Sequence, residues 1–404
     1  MNWLRGQAQA INTAFFGYGS PVTMGLFRIL IGFLAFVNFA MLSIDFEAWF
    51  TERGYFPVRL AEVWADGVWR FNLLSGVTDD RLTAAVYLVV MLASLTTTVG
   101  LWTRVSTIVL FLGTVTLHHR SPDILHGGDY LLRAWIFLVM IAPSGRACSL
   151  DRLIALWKNR APVEPEPVSL WPQRLVQYQL AIVYFTTVWQ KSFGNMWWDG
   201  TATWYPLHLR EFDRFPLPSF LENPPFIAAS TYFTVFIELA MATLVFARPL
   251  RKWILLGGLL LHAGIEYRLN IPLFAMVITS AYVSHYSGEE VTAWAKRLGA
   301  RLKKLMLDVS LPKGWRFRPG RGDAIQAMDC FGLITYRPGD AEDWRAETPA
   351  GKQVSPGPAI LLRSPGSWGL AVWPPLWRRI WKSACDTETT PAPDDVEEKV
   401  TTHA

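Results

Sequence analysis

Long stretches with almost no charged residues, between Val22 and Tyr286, constrain the fold of this chain more than any other feature. Hydrophobic residues make up 51% of the sequence and charged residues 18%, against about 25% charged residues in an average soluble domain. The net charge of +5 does not indicate nucleic-acid binding, because surplus lysine and arginine in a membrane protein mostly marks its cytoplasmic side. The sequence therefore predicts an integral membrane protein surrounded by lipids, with no nucleic-acid partner.

The hydropathy pattern predicts about eight transmembrane helices. We expect them at 22–44, 82–102, 105–118, 129–142, 175–190, 226–247, 253–267 and 271–286. The third and fourth are short, since a 14-residue helix covers only about 21 Å of a hydrocarbon core about 30 Å thick. These two helices are expected to extend into neighbouring residues or to lie against a water-filled cavity.

Charges alternate between the connections of these helices. Acidic residues concentrate in 45–81, whereas basic residues concentrate in 146–174, in 248–252 and after 288. The positive-inside rule then predicts a multi-pass protein of the cell inner membrane with both termini in the cytoplasm. The connections 45–81, 118–128 and 191–225 are expected on the outer face.

We predict four regions along the chain. An all-α polytopic membrane domain occupies 1–287, and 288–307 forms an amphipathic linker helix whose basic residues suit an anionic membrane surface. A small α/β cytoplasmic domain follows at 308–386, and the polar tail at 387–404 is expected to be disordered.

A single lysine, Lys191, stands where the fifth apolar segment ends, in the stretch YFTTVWQKSFGNMWWDGTATWY. Four tryptophans surround it in sequence: Trp189, Trp197, Trp198 and Trp204. In such an apolar setting a lysine is expected to lose its proton more easily than one in water. The alternative is an interfacial lysine that reaches the lipid headgroups beside an aromatic belt.

Ionisable residues inside membrane helices are costly and therefore informative. The candidates are Arg28, Asp129, Arg133, Glu238, His262, Glu266 and His285. They either pair with one another, Arg28 with Glu238 for example, or line a polar cavity for a ligand headgroup or a proton path. The second interpretation is favoured for His262 and Glu266, which share one helix face at i, i+4.

Three histidines lie in the turn HHRSPDILHGGDYLL, from His118 to Leu132. Neighbouring helical residues point about 100° apart, so His118 and His119 do not easily share a metal ion, and no metal site is expected. His126 is either an interfacial hydrogen-bonded histidine or a proton-handling group, since histidine titrates near neutral pH.

Several segments resemble the HTTM family, the bacterial relatives of the membrane domain of vitamin K-dependent gamma-carboxylase. They are GLFRILIGFLAF, HGGDYLLRAWIFLVMIAP, YFTTVWQKSFGNMWWDGTA, FTVFIELAMATLVF and LLLHAGIEYRLNIPLF, which together cover about 20–287. Their order and their positions relative to the apolar segments carry the resemblance.

The resemblance implies a carboxylase-like enzyme that uses a reduced, vitamin K-like quinone. The family's lysine base matches Lys191, and His126 is the nearest match to its assisting histidine. In the carboxylase the lysine is doubled, whereas Gln190 precedes Lys191 here. The candidate substrate-binding residues are Trp197, Trp198, His262, Glu266, Arg28 and Glu238. Because no large segment is predicted on the outer face to hold a protein substrate, a quinone or another lipid-soluble molecule is the expected substrate.

The segment DAIQAMDCFGLITYRPGD resembles the later part of DCC-type thiol–disulfide oxidoreductase domains, which are thioredoxin-like. The stretch that matches their active site, MLDVSLPKGWRFRPGRGD, has no cysteine, so a degenerate domain without exchange chemistry is implied. Cys148, Cys330 and Cys385 are far apart in sequence and form neither a disulfide framework nor a zinc motif.

Two other functions remain open from the sequence. The chain could be a non-enzymatic membrane scaffold or partner protein, in which Lys191 and the tryptophans only anchor the interface. A transporter lined by Arg28, Glu238, His262 and Glu266 is the third interpretation, although no inverted repeat supports it.

Overall fold

The structure is a computed structural model that describes residues 2–364, 380 and 383–387. The structure divides into two compact units. The first comprises 1–147 and 167–287, and the second comprises 148–166 together with the described residues from 288 onward. The predicted disordered tail lies outside the described residues, apart from Thr387.

The first unit is helical, and a helix lies at each of the eight stretches expected from hydropathy. Its long helices are α2 (Val22–Leu42), α5 (Asp80–Val99), α6 (Thr103–Arg120), α7 (Gly127–Ile141), α9 (Trp171–Lys191), α12 (Pro224–Ala242), α13 (Arg248–Arg268) and α14 (Phe274–Ser280), the last continued by a 3-10 turn to His285. Shorter helices are α1 (Asn2–Phe16), α3 (Phe46–Phe50), α4 (Val58–Ala65), α10 (Asn195–Trp198) and α11 (Trp204–Leu207). A two-residue strand β1 (Tyr18–Gly19) pairs with β2 (Val168–Ser169).

Three helical stretches of the described residues are long and apolar enough to cross a membrane: Val22–Phe50, Asp80–Val99 and Pro224–Ala242. The protein is therefore a membrane protein, while the number of crossings stays a prediction. The helix expected at 105–118 is longer than the apolar run, because α6 continues through His118 and His119 to Arg120.

Local sequence explains where these helices begin and end. The side chain of Asp79 caps α5 by accepting a hydrogen bond from the backbone N–H of Arg81, and Gly100 ends the helix with a positive φ of 68°. Proline stands in the first turn of α9, α12 and α13, where its missing N–H costs nothing.

The core of the first unit lies between α2, α5, α7, α9 and α14. Phe27, Ile31, Phe39 and Trp135 are buried in it. Close approach of α2 and α5 depends on Gly32, since a Cβ there would lie 2.7 Å from the backbone nitrogen of Thr98. The core thus holds the helices that carry the polar residues discussed below.

The second unit contains a mixed sheet. Its elements are α8 (Leu150–Trp157), α15 (Gly288–Arg301), β3 (Leu307–Ser310), β4 (Trp315–Phe317), α16 (Arg321–Ala327), β5 (Ile334–Arg337), β6 (Arg345–Glu347), β7 (Gln353–Val354), α17 (Pro356–Arg363) and β8 (Cys385–Thr387). The strand order is β5-β3-β6-β7, with β3 and β5 parallel and the other neighbours antiparallel, and β4 pairs with β8.

The segment 148–166 belongs to this second unit, whereas the sequence predicts it as part of the membrane domain at 1–287. Leu153 and Trp157 of α8 pack against the core formed by Leu307, Val309 and Ile325. The apolar side chains of this short amphipathic helix gain a core there, which hydropathy alone does not reveal. The cytoplasmic location of the unit and its thioredoxin-like ancestry stay predictions.

Candidate functional site

Polar side chains meet at one end of the first unit. This end holds the carboxyl ends of α9 and α13 and the amino ends of α7 and α14, since Phe274 contacts both the start of α7 and His262 of α13. The short helix α10 lies at the same end. The carbonyl oxygen of its Trp198 accepts a hydrogen bond from the hydroxyl of Tyr232 in α12. Residues far apart in sequence therefore share this end.

An ion pair between Lys191 and Glu238 is the centre of the site. The Lys191 Nζ atom lies 2.7 Å from Oε1 and 2.5 Å from Oε2 of Glu238, so one ammonium contacts both carboxylate oxygens. Only 19% of the Lys191 side chain and 10% of the Glu238 side chain are exposed. Thr187 donates a further hydrogen bond to Glu238 Oε2 at 3.2 Å.

One tryptophan covers the amine. The Nζ atom of Lys191 lies 5.0 Å from the centroid of the Trp197 ring, within the range of a cation–π contact. Trp189 and Trp198 are mostly exposed, and the indole N–H of Trp198 donates to the Ser192 carbonyl instead. Trp204 stacks on His208. Of the four tryptophans near Lys191 in sequence, only Trp197 covers its amine in the contacts that the structure describes.

A chain of three aromatic side chains lies beside the ion pair. The hydroxyl of Tyr184 is 2.8 Å from Nε2 of His262 and 2.7 Å from the hydroxyl of Tyr282. All three residues are buried. Tyr184 stands three residues before Thr187 on the same face of α9, and Thr187 donates to Glu238, so the ion pair and the aromatic chain are neighbours.

The second ring nitrogen of His262, Nδ1, is buried and has no hydrogen-bond partner among the described residues. A buried polar atom of this kind is costly unless water or a ligand satisfies it. Tyr184, His262 and Tyr282 lie beside the charged pair, and each can both donate and accept a hydrogen bond. Protons can therefore pass along these three groups within the apolar interior.

Helical periodicity explains the part of the site that lies on α9. Tyr184, Thr187 and Lys191 follow one another at i, i+3 and i+7, so they share one face of the helix. Of these three residues, the sequence pattern predicts a role only for Lys191. The polar stripe was the signal that could have identified Tyr184 and Thr187. No comparable signal marked Tyr282, which reaches the site because Gly258 of α13 leaves room for its hydroxyl.

His126 lies at the start of α7 and caps it. Its Nδ1 accepts a hydrogen bond from the Gly128 backbone N–H at 2.9 Å, and the Asp129 carboxylate accepts one from the His126 backbone N–H at 2.9 Å. With Nδ1 used as an acceptor, a neutral His126 carries its proton on Nε2, 3.5 Å from Asp129 Oδ2. Both nitrogens of the ring are therefore engaged locally.

Comparison with known proteins agrees with this architecture. The family model named HTTM domain matches residues 19–286, about two thirds of the chain. The chain belongs to the HTTM family. A search of curated proteins and a search of solved structures found no match. The match ends just before α15, close to the boundary between the two structural units.

Within the HTTM domain, Arg28 does not pair with Glu238, and that expectation was wrong. The guanidinium of Arg28 donates to the carbonyl oxygens of Thr97 and Ser144 at 3.0 and 2.5 Å, and to that of Ala147 at 3.3 Å. Carbonyls at helix ends lack intrahelical partners and attract cations. Arg28 is thus held at the ends of α5 and α7, while Glu238 pairs with Lys191.

Glu266 lies one turn beyond His262 on α13 of the HTTM domain and binds Arg214 in an ion pair. Its other oxygen, Oε2, is buried without a described partner. Arg268, at the end of the same helix, pairs with Asp213 at 2.5 Å. These two ion pairs connect the loop before α12 to the end of α13. Glu266 therefore stabilises the loop at the edge of the site.

The structure therefore brings Lys191, Trp197, Glu238 and His262 together, as parts of one site. Glu266 lies at its edge, Trp198 points its indole N–H back to the backbone, and Arg28 lies elsewhere. Among the described residues no group of three or more histidine, cysteine, aspartate or glutamate side chains is placed to hold a metal ion.

Proposed function

We propose that this HTTM protein is a carboxylase-like enzyme that binds a reduced quinone or another lipid-soluble substrate and removes a proton from it at Lys191. The observation that carries the proposal is the shielded Lys191–Glu238 ion pair beside the Tyr184–His262–Tyr282 chain. We place this site at the outer face of the inner membrane, with both termini in the cytoplasm, as the distribution of basic residues favours.

The ion pair bears directly on how Lys191 would act as a base. A neighbouring carboxylate stabilises the ammonium form, which opposes easy proton loss. A free base therefore forms only if the proton moves from Nζ to the Glu238 carboxylate along a hydrogen bond of 2.5–2.7 Å. Lys191 would then accept the hydroxyl proton of a hydroquinone, while Glu238 holds the proton it received.

The surrounding residues fit a planar aromatic substrate with hydroxyl groups. The rings of Trp197 and Phe274 offer apolar faces near the pair, with Phe274 at 5.8 Å from the His262 ring. The unsatisfied His262 Nδ1 offers a hydrogen bond to a hydroxyl or carbonyl oxygen of the substrate.

The non-enzymatic scaffold remains the second candidate, because one observation favours it. Lys191 and Glu238 neutralise each other across α9 and α12, as expected of a pair that only locks two helices together.

Two measurements separate these functions. Lipid extraction of the purified wild-type protein followed by mass spectrometry should recover a quinone, and the Trp197→Ala variant should recover less. Trp189→Ala is the matched control, because Trp189 is 59% exposed. Recovery of bulk phospholipid alone would favour the scaffold.

The second measurement uses Lys191→Arg. Arginine keeps the positive charge and the ion pair but stays protonated. The proposal expects this variant to be folded and unable to deprotonate an added hydroquinone. Unchanged turnover in Lys191→Arg would reject Lys191 as the base.

A further inference from the structure

Helix α4 has apolar side chains on two separate faces. Val58 and Ala61 are buried on the face that packs against α6. Leu60, Val63 and Trp64 are exposed, and Val63 is 65% exposed. At about 100° per residue, these three side chains lie on the side of the helix away from the buried pair. The HTTM domain therefore leaves a second apolar face of α4 exposed.

Exposed apolar side chains continue beyond α4. Val68, Trp69 and Leu73 are exposed, and Trp69 is 86% exposed. The backbone N–H of Leu73 donates a hydrogen bond to Oγ1 of Thr116 in α6 at 3.4 Å. Thr116 lies four residues, about 6 Å, before the end of α6 at Arg120. The segment 58–73 therefore lies against the side of α6 as well as at its end.

Glu52 ties the start of α4 to the ends of two long helices. Its backbone N–H donates to Oδ1 of Asp80 at 2.8 Å. Its Oε1 atom accepts hydrogen bonds from the backbone N–H of Val58 at 2.8 Å and from Nη2 of Arg120 at 3.3 Å. Arg120 also donates from Nη1 to the Phe56 carbonyl at 2.5 Å. The first residue of α4 is thus held beside the first residue of α5 and the last residue of α6.

The start of α5 marks the depth of this network in the membrane. Helix α5 has 20 residues and is long and apolar enough to cross a bilayer. A helix of this length covers about 30 Å, the thickness of the hydrocarbon core. Asp80, its first residue, therefore lies where hydrocarbon meets water. The exposed apolar side chains of α5 begin just after it, with Leu82, Leu88 and Val89.

We infer that the segment 58–73 docks on the lipid bilayer, with Leu60, Val63 and Trp64 inserted at the boundary between headgroups and acyl chains. Amphipathic helices bury their apolar faces at this depth. Tryptophan also favours it, because its ring is apolar and its N–H is polar. Arg59 and Glu62 are exposed on the flank between the two apolar faces of α4, from which they can reach headgroups and water.

Two observations favour lipid over a second protein as the partner of this surface. The hydrogen bonds of Glu52 hold α4 at the level of the membrane boundary. The exposed apolar side chains of the segment also continue the exposed apolar surface of α5, a helix suited to contact with lipid. The inference depends neither on the chemistry at Lys191 nor on which side of the membrane carries α4.

The test is site-directed spin labelling of the full chain in vesicles of phosphatidylcholine and phosphatidylglycerol. All three cysteines are first replaced by serine, and a nitroxide is attached to a single new cysteine, Val63→Cys or Val68→Cys. Glu62→Cys is the matched control, because Glu62 is an exposed polar residue on the same helix. Power saturation compares collisions of each nitroxide with oxygen, which concentrates among acyl chains, and with a water-soluble nickel chelate.

We expect oxygen to relax the nitroxides at positions 63 and 68 more than the nickel chelate does, and the order to reverse at position 62. Each labelled variant should keep the unfolding midpoint of the cysteine-free parent, since the substituted side chains are exposed. Nickel access at position 63 equal to that at position 62 would place this face in water and overturn the inference. Low access of both agents at position 63 would show that protein covers the face, a second copy if the spectrum broadens with labelling density, and would overturn it as well. Position 63, on α4 itself, decides if positions 63 and 68 differ.

Discussion

At the scale of single residues, the ion pair between Lys191 and Glu238 makes each partner depend on the other. We predict that Lys191→Met and Glu238→Gln each lower the free energy of unfolding, because each leaves one shielded charge or polar group unpaired. The loss should be about 3 kcal/mol for Lys191→Met, the more severe case. The double variant should lose less than the two single variants together, as measured by denaturant unfolding in detergent.

Glu211→Gln is the control for that series, because this glutamate is exposed. It should change the free energy of unfolding by less than about 0.5 kcal/mol. Strict additivity of the two single substitutions would mean that the pair has no coupling energy in the folded protein, contrary to the observed contact.

Burial of one cysteine yields a pH prediction at the same scale. Cys385 is 3% exposed, and this burial raises the pKa of its thiol to about 12. Only the thiolate reacts with iodoacetamide, and at pH 7.5 it amounts to roughly one part in 10⁴–10⁵ of the thiol. Alkylation of the native protein at Cys385 should therefore be very slow at pH 7.5 and accelerate as the pH rises towards the pKa.

Peptide mass spectrometry measures the alkylation of each cysteine separately. Urea-unfolded protein, in which iodoacetamide reaches every thiol, is the reference. Rapid labelling of Cys385 in the native state at pH 7.5 would contradict its burial. Replacing Cys148, Cys330 and Cys385 together by serine should leave cellular function intact, since within the described residues none of the three forms a disulfide bond.

At the scale of elements, the crossing of α2 and α5 depends on a glycine. A Cβ at position 32 would lie 2.7 Å from the Thr98 backbone nitrogen and 2.8 Å from its Oγ1 atom. Because backbone cannot move aside as a flexible side chain can, the two helices would have to separate. Gly32→Ala should cost about 1–3 kcal/mol of stability, visible as a lower unfolding midpoint.

Gly264→Ala on α13 is the matched control, since a Cβ there meets nothing within 4 Å. This substitution should leave the midpoint unchanged or raise it slightly, because alanine favours a helix over glycine. Equal effects of the two alanines would show that close helix packing at Gly32 is unimportant.

At the scale of the whole molecule, the orientation in the membrane follows from the charges of the connections. On a cysteine-free background, a cysteine at Ser192 should react with a membrane-impermeant maleimide in intact cells. A cysteine at Ala300, in the basic helix α15, should react only after lysis. Both positions are exposed in the structure, so burial does not confound the comparison. The reverse labelling pattern would place the Lys191 site on the cytoplasmic side.

The sequence by itself determined the family, the membrane character and the positions of the long helices. Each depends on local composition: apolar runs, prolines in first helical turns and a capping aspartate are visible without knowledge of the fold. It also pointed to four residues that the structure brings together, Lys191, Trp197, Glu238 and His262, because ionisable groups and tryptophans at the ends of apolar segments are conspicuous.

Only the tertiary structure decided which of these residues meet. Glu238 could have paired with Arg28 or with Lys191, and the packing of α12 against α9 selected Lys191, while helix-end carbonyls took Arg28. The hydroxyl of Tyr282 reaches the site because Gly258 has no side chain to block it. Helix α8 belongs to the second unit because its apolar face packs against the core of that unit. Such pairings depend on helix rotation and distance across the core, and neither quantity is encoded in any short stretch of sequence.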